Sequence, residues 1–417
     1  MSVLPQRTAV GVFLAFAFAY FLSALLRAVT ATLAPTLAQE FVLRTADLGL
    51  LSGGYFLGFA ATQLPLGHWL DRHGPRWVLL VFLGIAVLGC LLFSLATGFT
   101  GLLVGRMLCG VGVSACLMAP LTGFRRWLTA AAQLRANAWM MMTGSLGMVA
   151  STLPVQWLLP LVGWRPLFWG VAVLILLAMG WLALRVPAWH STGVAVAQSL
   201  VPQPLSSPGY AAVWRNRYFQ CIAPLGFFTY GGMVAMQTLW AGPWMQQVAG
   251  YSALESATGL FWINVSMLCT FWAWGMASHG LQRRGLDAHR LMAAGLPASL
   301  VVMGVLIAMG EHAGAGMWAL YCVSCTFVAL SLPALALAFP SAQAGRALSA
   351  YNLVIFLGVF VVQWGIGLVV DALAAMGATP VASFRWAMGF YWACNGGAYV
   401  WFRLRWRGDN LGHTAAP

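Results

Sequence analysis

Long apolar runs, each ended by a short stretch of glycine, proline or arginine, follow one another through almost the whole chain. A hydrocarbon core about 30 Å thick takes roughly 20 apolar residues in a helix. On that measure the pattern predicts spans near residues 9–35, 47–70, 76–96, 100–124, 136–160, 166–187, 218–246, 254–279, 290–310, 314–339, 345–373 and 384–404. The one long polar interruption covers 188–217, includes the run SLVPQPLSSPG and falls close to the midpoint. It reads as a linker, dividing the chain into an expected six-helix bundle over 1–187 and a second over 218–417.

Composition narrows this picture. Of 417 residues, 61% are hydrophobic and 7% charged, whereas a soluble domain carries about 25% charged residues. Lipid is therefore the solvent for most of the chain. The net charge of +13 does not point to nucleic acid, because the basic residues stand singly or in pairs at the ends of apolar runs. All 21 of them are arginine. Sixteen, from Arg7, Arg72 and Arg76 to Arg403, Arg405 and Arg407, fall on the side of the two termini, against Arg44, Arg165 and Arg385 on the other. Positive charge is retained on the cytoplasmic side, so both termini and the linker are expected in the cytoplasm, with the chain multi-pass in a bacterial inner membrane.

The eight cysteines lie inside apolar runs, where they behave as small hydrophobes, and no disulfide framework is expected. Arg7 ahead of an apolar stretch imitates a signal peptide. That stretch exceeds the about 7–15-residue core of one and leads straight into another span, so it reads as an uncleaved first helix. Internal repetition supports two halves: Gly67, Asp71 and Arg76 fall opposite Gly275, His279 and Arg284 at one offset, and Gln156-Trp157 recurs as Gln363-Trp364.

Between the second and third spans stands Gly67-His-Trp-Leu-Asp71-Arg72-His-Gly74-Pro-Arg76. Gly67 permits close helix approach, Asp71 can accept charge-assisted hydrogen bonds, and Gly74-Pro75 forces a tight turn. Such a cluster can latch one rigid half against the other. A turn that only fixes topology would explain Arg72 and Arg76 but not Asp71. The run matches the G-x-x-x-D-R-x-G-x-R signature of the major facilitator superfamily, which the chain also resembles in helix count and halves. Arg106-x-x-x-Gly110-x-Gly112 in the fourth span matches the arginine-glycine pattern common in these carriers. The resemblance implies an all-α membrane protein of twelve transmembrane helices in two pseudo-symmetric six-helix bundles, acting as a monomer without a cofactor. Gly67, Asp71, Arg72, Gly74, Arg76, Arg106 and Gly110 would serve its conformational change. The second copy is degraded, with His279 in place of the aspartate and Gly280 in place of the arginine after it.

Charges inside spans are the most informative feature left, because an arginine at a helix centre costs about 2.5–3.5 kcal/mol on insertion scales. Arg27 and Arg106 are the two. Arg27 lies about 18 residues into the first span, roughly 27 Å along its axis, where it could also snorkel to headgroups. Tyr20-x6-Arg27 followed by Pro35 resembles the first helix of organic-phosphate antiporters and related organic-anion carriers, which implies that Arg27 contacts the anionic group of a substrate. In the seventh span Tyr230-x6-Gln237 repeats the spacing with glutamine in place of arginine. A two-arginine phosphate clamp is therefore missing, and a single guanidinium suits a carboxylate or a larger, partly apolar anion. Gln237, Trp240 and Asn352 are expected in the wall of the path, with Tyr20 and Tyr230 beside the anion.

The acids that serve proton coupling in anion–proton symporters are replaced here by Leu26 and Val113. Glu40, Asp47, Glu255, Glu311 and Asp371 fall at predicted outer ends of spans, where solvation is their ordinary fate. If protons are the coupling partner, Glu255 is the candidate. Met140-Met141-Met142, Met233 with Met236, and Cys322-x-x-Cys325 could hold Cu(I), but no His-x-x-x-Met companion stands in span eight, and no metal site is expected. The Gly-Pro-x-x-Gly-Gly antiporter motif is missing from span five, and HExxH, GxSxG and paired intramembrane carboxylates are missing altogether. The expectation is no enzyme but a secondary active transporter of a small, carboxylate-bearing organic anion. A drug-like efflux pump or a Cu(I) importer of the same fold is the alternative.

Overall fold

A computed structural model describes residues 4–189, 210–283 and 287–408, and no strand occurs among them. The crossing helices are α1 (Gln6–Phe41), α2 (Thr45–Ala61), α3 (Gln63–Leu95), α4 (Phe99–Trp127), a bent α5 (Ala130–Ala150 with Leu153–Val162) and α6 (Trp164–Arg185). After a short helix Tyr210–Arg215 come α7 (Arg217–Gln247), α8 (Ala253–Arg283), α9 (Ala288–His312), α10 (Ala315–Ala338), α11 (Ser341–Ala375) and α12 (Pro380–Gly408). Eight helices among the described residues are long and apolar enough to cross a membrane, nine with the bent α5. With α2, α8 and α12 they make twelve helices in two bundles of six. Most of the expected linker, 188–217, lies outside the described residues.

The second crossing runs past Thr62 into residues 63–73 of α3 and ends where Gly74 takes φ 76° and ψ 163°, a left-handed φ that glycine alone adopts without strain. Two crossings read as continuous from the sequence are interrupted. In α5 the hydroxyls of Ser151 and Thr152 donate back to the carbonyls of Met148 and Val149 at 2.7 and 2.6 Å, and Pro154 follows without an N–H. That competition with the helical ladder bends the helix by 43°. In α7 two π-helical stretches, Leu225–Tyr230 and Met236–Trp240, follow Pro224 and flank Gly231-Gly232. Wide turns of this kind redirect side chains and recur at functional sites.

Glycines bring the helices of the first half into backbone contact. A Cβ on Gly58 would strike the carbonyl of Met107, one on Gly110 the carbonyl of Tyr55, and one on Gly112 the backbone N of Ala86. Gly110→Val is therefore expected to push α2 off α4 at a cost of about 1–3 kcal/mol, lowering the thermal unfolding midpoint of the detergent-solubilised protein by several degrees. An unchanged midpoint would contradict this packing.

An even number of crossings puts both chain ends at one end of the bundle, the terminal end. The two halves close on each other at the opposite end, where α2 lies along α11. A Cβ on Gly49 would meet the carbonyl of Gln363, one on Gly53 the Phe360 ring at 3.0 Å, and one on Gly367 the carbonyl of Thr45 at 2.6 Å. Asp371 on α11 then caps the first turn of α2, accepting from the backbone N–H groups of Thr45 (3.1 Å) and Ala46 (2.9 Å). Solvation was the expectation for Asp371. The structure places it half-buried across the interface, where the helix dipole and two unpaired N–H groups favour a carboxylate.

Candidate functional site

Between the halves, from mid-depth toward the terminal end, lies a cavity of about 640 Å³ walled by α1, α5, α7, α8 and α10. Its cation is Arg27, the only one in the wall among the described residues, accompanied by Tyr20, Tyr230 and Gln237. Arg27 is half-buried, its Nε has no hydrogen-bond partner, and its Cζ lies 5.7 Å from the centre of the Phe59 ring. No carboxylate pairs with it among the described residues. A guanidinium in a low-dielectric wall without a counter-charge is costly to keep there.

Two partners hold that position from behind. Arg106 on α4 is fully buried; its Nη1 donates to the carbonyl of Leu26 at 2.9 Å, and its Cζ lies 5.0 Å from the Tyr55 ring centre. It thereby fastens α4 to the turn of α1 that carries Arg27, without itself entering the cavity wall. The Tyr55 hydroxyl donates to the carbonyl of Ser23 at 3.3 Å, one turn before Arg27, while its ring lies under the Arg106 guanidinium. Across the cavity Gln237 Nε2 donates to Asn264 Oδ1 at 2.9 Å, and Asn264 Nδ2 donates to the carbonyl of Leu260 at 2.8 Å.

The structure thus gathers Tyr20, Arg27, Tyr230 and Gln237 from two halves into one wall. Trp240 and Asn352 are not in that wall. Trp240 is fully buried against Phe384, because the second π-helical stretch of α7 turns it away from Gln237, and Asn352 is half-buried on α11, which contributes no residue to the cavity. Glu255 is exposed at the start of α8, where it accepts from the backbone N–H and hydroxyl of Ser252, both at 2.8 Å, in a capping box. Cys322 and Cys325 are fully buried in the α10 core, away from the cavity. Met141, Met142 and Met233 do line it.

The model of the Major Facilitator Superfamily matches residues 16–363, spanning both bundles and the cavity between them. The chain belongs to this superfamily. It is similar to the probable L-galactonate transporter of Escherichia coli (strain K12), 26% identical over 54% of this chain and 51% of that one. It is likewise similar to the probable sulfoacetate transporter SauU of Cupriavidus necator, 26% identical over 57% of each. The chain spans about half the length of these curated relatives. Among solved structures, a bacterial homologue of the human lysosomal transporter Spinster, in an inward-facing and unoccupied conformation, superposes with a TM-score of 0.78 over 97% of this chain and 98% of that one, at 18% identity. The superfamily is one of multi-pass membrane transporters, in keeping with the apolar crossing helices of this chain.

The signature run of this superfamily member divides in two. Gly74 and Arg76 bind their own half: a Cβ on Gly74 would strike Trp189, which also lies 4.4 Å beneath the Arg126 guanidinium, and Arg76 Nη1 donates to the carbonyl of Val186 at 3.3 Å. Gly67, Asp71 and Arg72 are exposed. The close approach expected at Gly67 is not made among the described residues, since no described atom lies within 4 Å of its Cβ position. Asp71 has no ion pair among the described residues. The side chain of His279 lies outside the described residues.

Sequence reasoning missed two parts of this arrangement. One is the thioether wall of the cavity, scattered over α5, α7 and α8, of which Met141, Met142 and Met233 stand out in the sequence only as soft-metal candidates and Met148, Met267 and Met276 not at all. The other is Asp371, whose partners lie more than 300 positions away and leave no local signal.

Proposed function

We propose that this carrier moves a small, carboxylate-bearing organic anion across a bacterial inner membrane by alternating access, with both termini in the cytoplasm. The observation that carries this reading is Arg27, an uncompensated guanidinium in the wall of the path between the halves. The names of the relatives support the negative charge of the substrate and nothing finer, since galactonate and sulfoacetate are both organic anions. Tyr20, Tyr230 and Gln237 offer hydrogen bonds around the bound group, and Arg106 positions Arg27 through the carbonyl of Leu26.

In this reading the two halves, near 1–187 and 218–417, rock about the anion. The closely packed α2–α11 face is in this reading the outer one, and the cavity leads toward the cytoplasm. Opening the outer face breaks the Asp371 cap, and the exposed Asp71 then becomes available to fasten the cytoplasmic face, with Gly67 and Arg72 beside it. The substrate drives such a shift only by binding one state better than the other. No carboxylate lines the cavity among the described residues, so any proton coupling has to run through groups outside its wall.

Uptake into proteoliposomes tests the reading. Organic carboxylates are expected to accumulate and to raise the thermal midpoint of the purified protein, while their amides and matched cations do neither. Equal transport of amides or cations would place the chain with polyspecific pumps, and saturable Cu(I) uptake would make it a metal importer; either result sinks the anion reading.

A further inference from the structure

We infer that the anion is a monovalent carboxylate on an aryl or similarly sized apolar body, and that the cavity discriminates against polyhydroxylated acids and dianions. This rests on the reading of Arg27 as the anion contact and adds the identity of the rest of the molecule.

Three observations carry it. First, much of the rest of the lining is Met142, Met148, Met233, Met267, Phe271 and Trp272. Thioethers are polarisable and flexible, they adapt to the outline of a guest, and sulfur makes favourable contacts with aromatic ring edges. Second, the polar groups that do face the cavity are largely spent on the protein itself. Asn264 uses its Oδ1 on Gln237 and its Nδ2 on Leu260, and Ser145 donates back to the carbonyl of Met141 at 3.2 Å. Tyr20, Tyr230 and the free carbonyl of Gln237 remain beside Arg27 as the polar groups of the lining. A chain of hydroxyls laid along the methionine wall would give up its water without finding partners, and unpaired buried hydroxyls weaken binding steeply. Third, one guanidinium reaches the lumen. Arg106 is fully buried outside the lining, with Nη1 on the carbonyl of Leu26 and its guanidinium over the Tyr55 ring, so a second negative charge on the guest would face thioethers in a medium of low dielectric.

The volume fits the assignment. A cavity of about 640 Å³ lies within the roughly 300–1,000 Å³ of small-molecule sites and admits a substituted aromatic acid with space to reorient.

Isothermal titration of the purified full chain in detergent, with benzoate, 4-isopropylbenzoate, gluconate, phthalate and benzamide as probes, tests this directly. The two aryl monocarboxylates are expected to bind at least roughly tenfold more tightly than gluconate and phthalate, with the isopropyl compound the tighter. Met142→Gln and Met148→Gln, both at half-buried wall positions, are expected to weaken the aryl acids several-fold and to leave gluconate unchanged or improved. Gluconate or phthalate binding as tightly as benzoate, with Arg27→Gln abolishing both, would overturn the inference and keep the anion reading. Benzamide binding as tightly as benzoate, or binding of every probe indifferent to Arg27→Gln, would overturn the anion reading itself and the inference with it.

Discussion

Arg27→Gln is expected to cut organic-anion uptake by roughly ten- to hundredfold while leaving the protein folded. The size follows from the loss of a hydrogen bond to a charged group, worth about 1.5–3 kcal/mol, at about 1.4 kcal/mol per tenfold change. Folding is expected to survive, because a half-buried cation without a counter-charge burdens the empty protein more than an amide does. The thermal midpoint without ligand should stay level or rise, and the shift that an anion produces in the wild type should vanish. Arg27→Lys keeps the charge but not the planar fork that grips a carboxylate from two nitrogens, so it should retain part of the uptake at weaker apparent affinity. Initial rates in proteoliposomes, read beside the thermal midpoints, separate lost binding from lost fold. Undiminished uptake in the glutamine variant would leave Arg27 no role in recognition.

The second large effect is expected at the closed face. Gly49 and Gly53 let α2 lie directly on the α11 backbone at Gln363 and Phe360, and neither backbone can retreat without carrying its helix along. Gly49→Leu places a branched side chain where a single methyl group already collides, so the two halves cannot meet and transport should fall to background. Asp371→Asn acts in the same direction more weakly. It keeps the shape but removes the charge from the dipole of α2, which is worth about 0.3–1 kcal/mol when exposed and up to about 2 kcal/mol when partly buried. A shift of that size moves the population of the closed face by roughly a few-fold to tenfold or more. Spin labels at Val42 and Met376, both exposed near this face, should report a longer distance for Gly49→Leu and a broadened distribution for Asp371→Asn. Distances equal to the wild type in both variants would show that α2 and α11 are not the gate.

Arg27 and Asp371 differ in how they could be found. Arg27 stands out in the sequence because a charge within an apolar run is costly enough to need a reason, and Tyr20 and Tyr230 were found with it through a repeated spacing. Asp371 looks like any acid at a helix end until the chain folds and puts the N–H groups of Thr45 and Ala46 against it. Gly110 stood out as a motif residue, while its task, receiving the carbonyl of Tyr55, depends on how α2 crosses α4. Trp240 was expected beside Gln237 three residues earlier, but a π-helical turn changes the angle between successive side chains, and no composition rule for α7 predicts that turn.

The amino-acid sequence by itself determined that this chain lives in lipid, crosses it as helices, comes in two halves and carries two arginines where arginines are expensive. Each of these follows from a property of single residues or short runs, namely transfer free energy and helical rise. Which face is closed, which arginine reaches the cavity, and the thioethers in much of its wall come from the packing of the folded chain. Those are relations between side chains far apart in sequence, and they come into being when backbones approach as closely as Gly49, Gly58 and Gly110 allow.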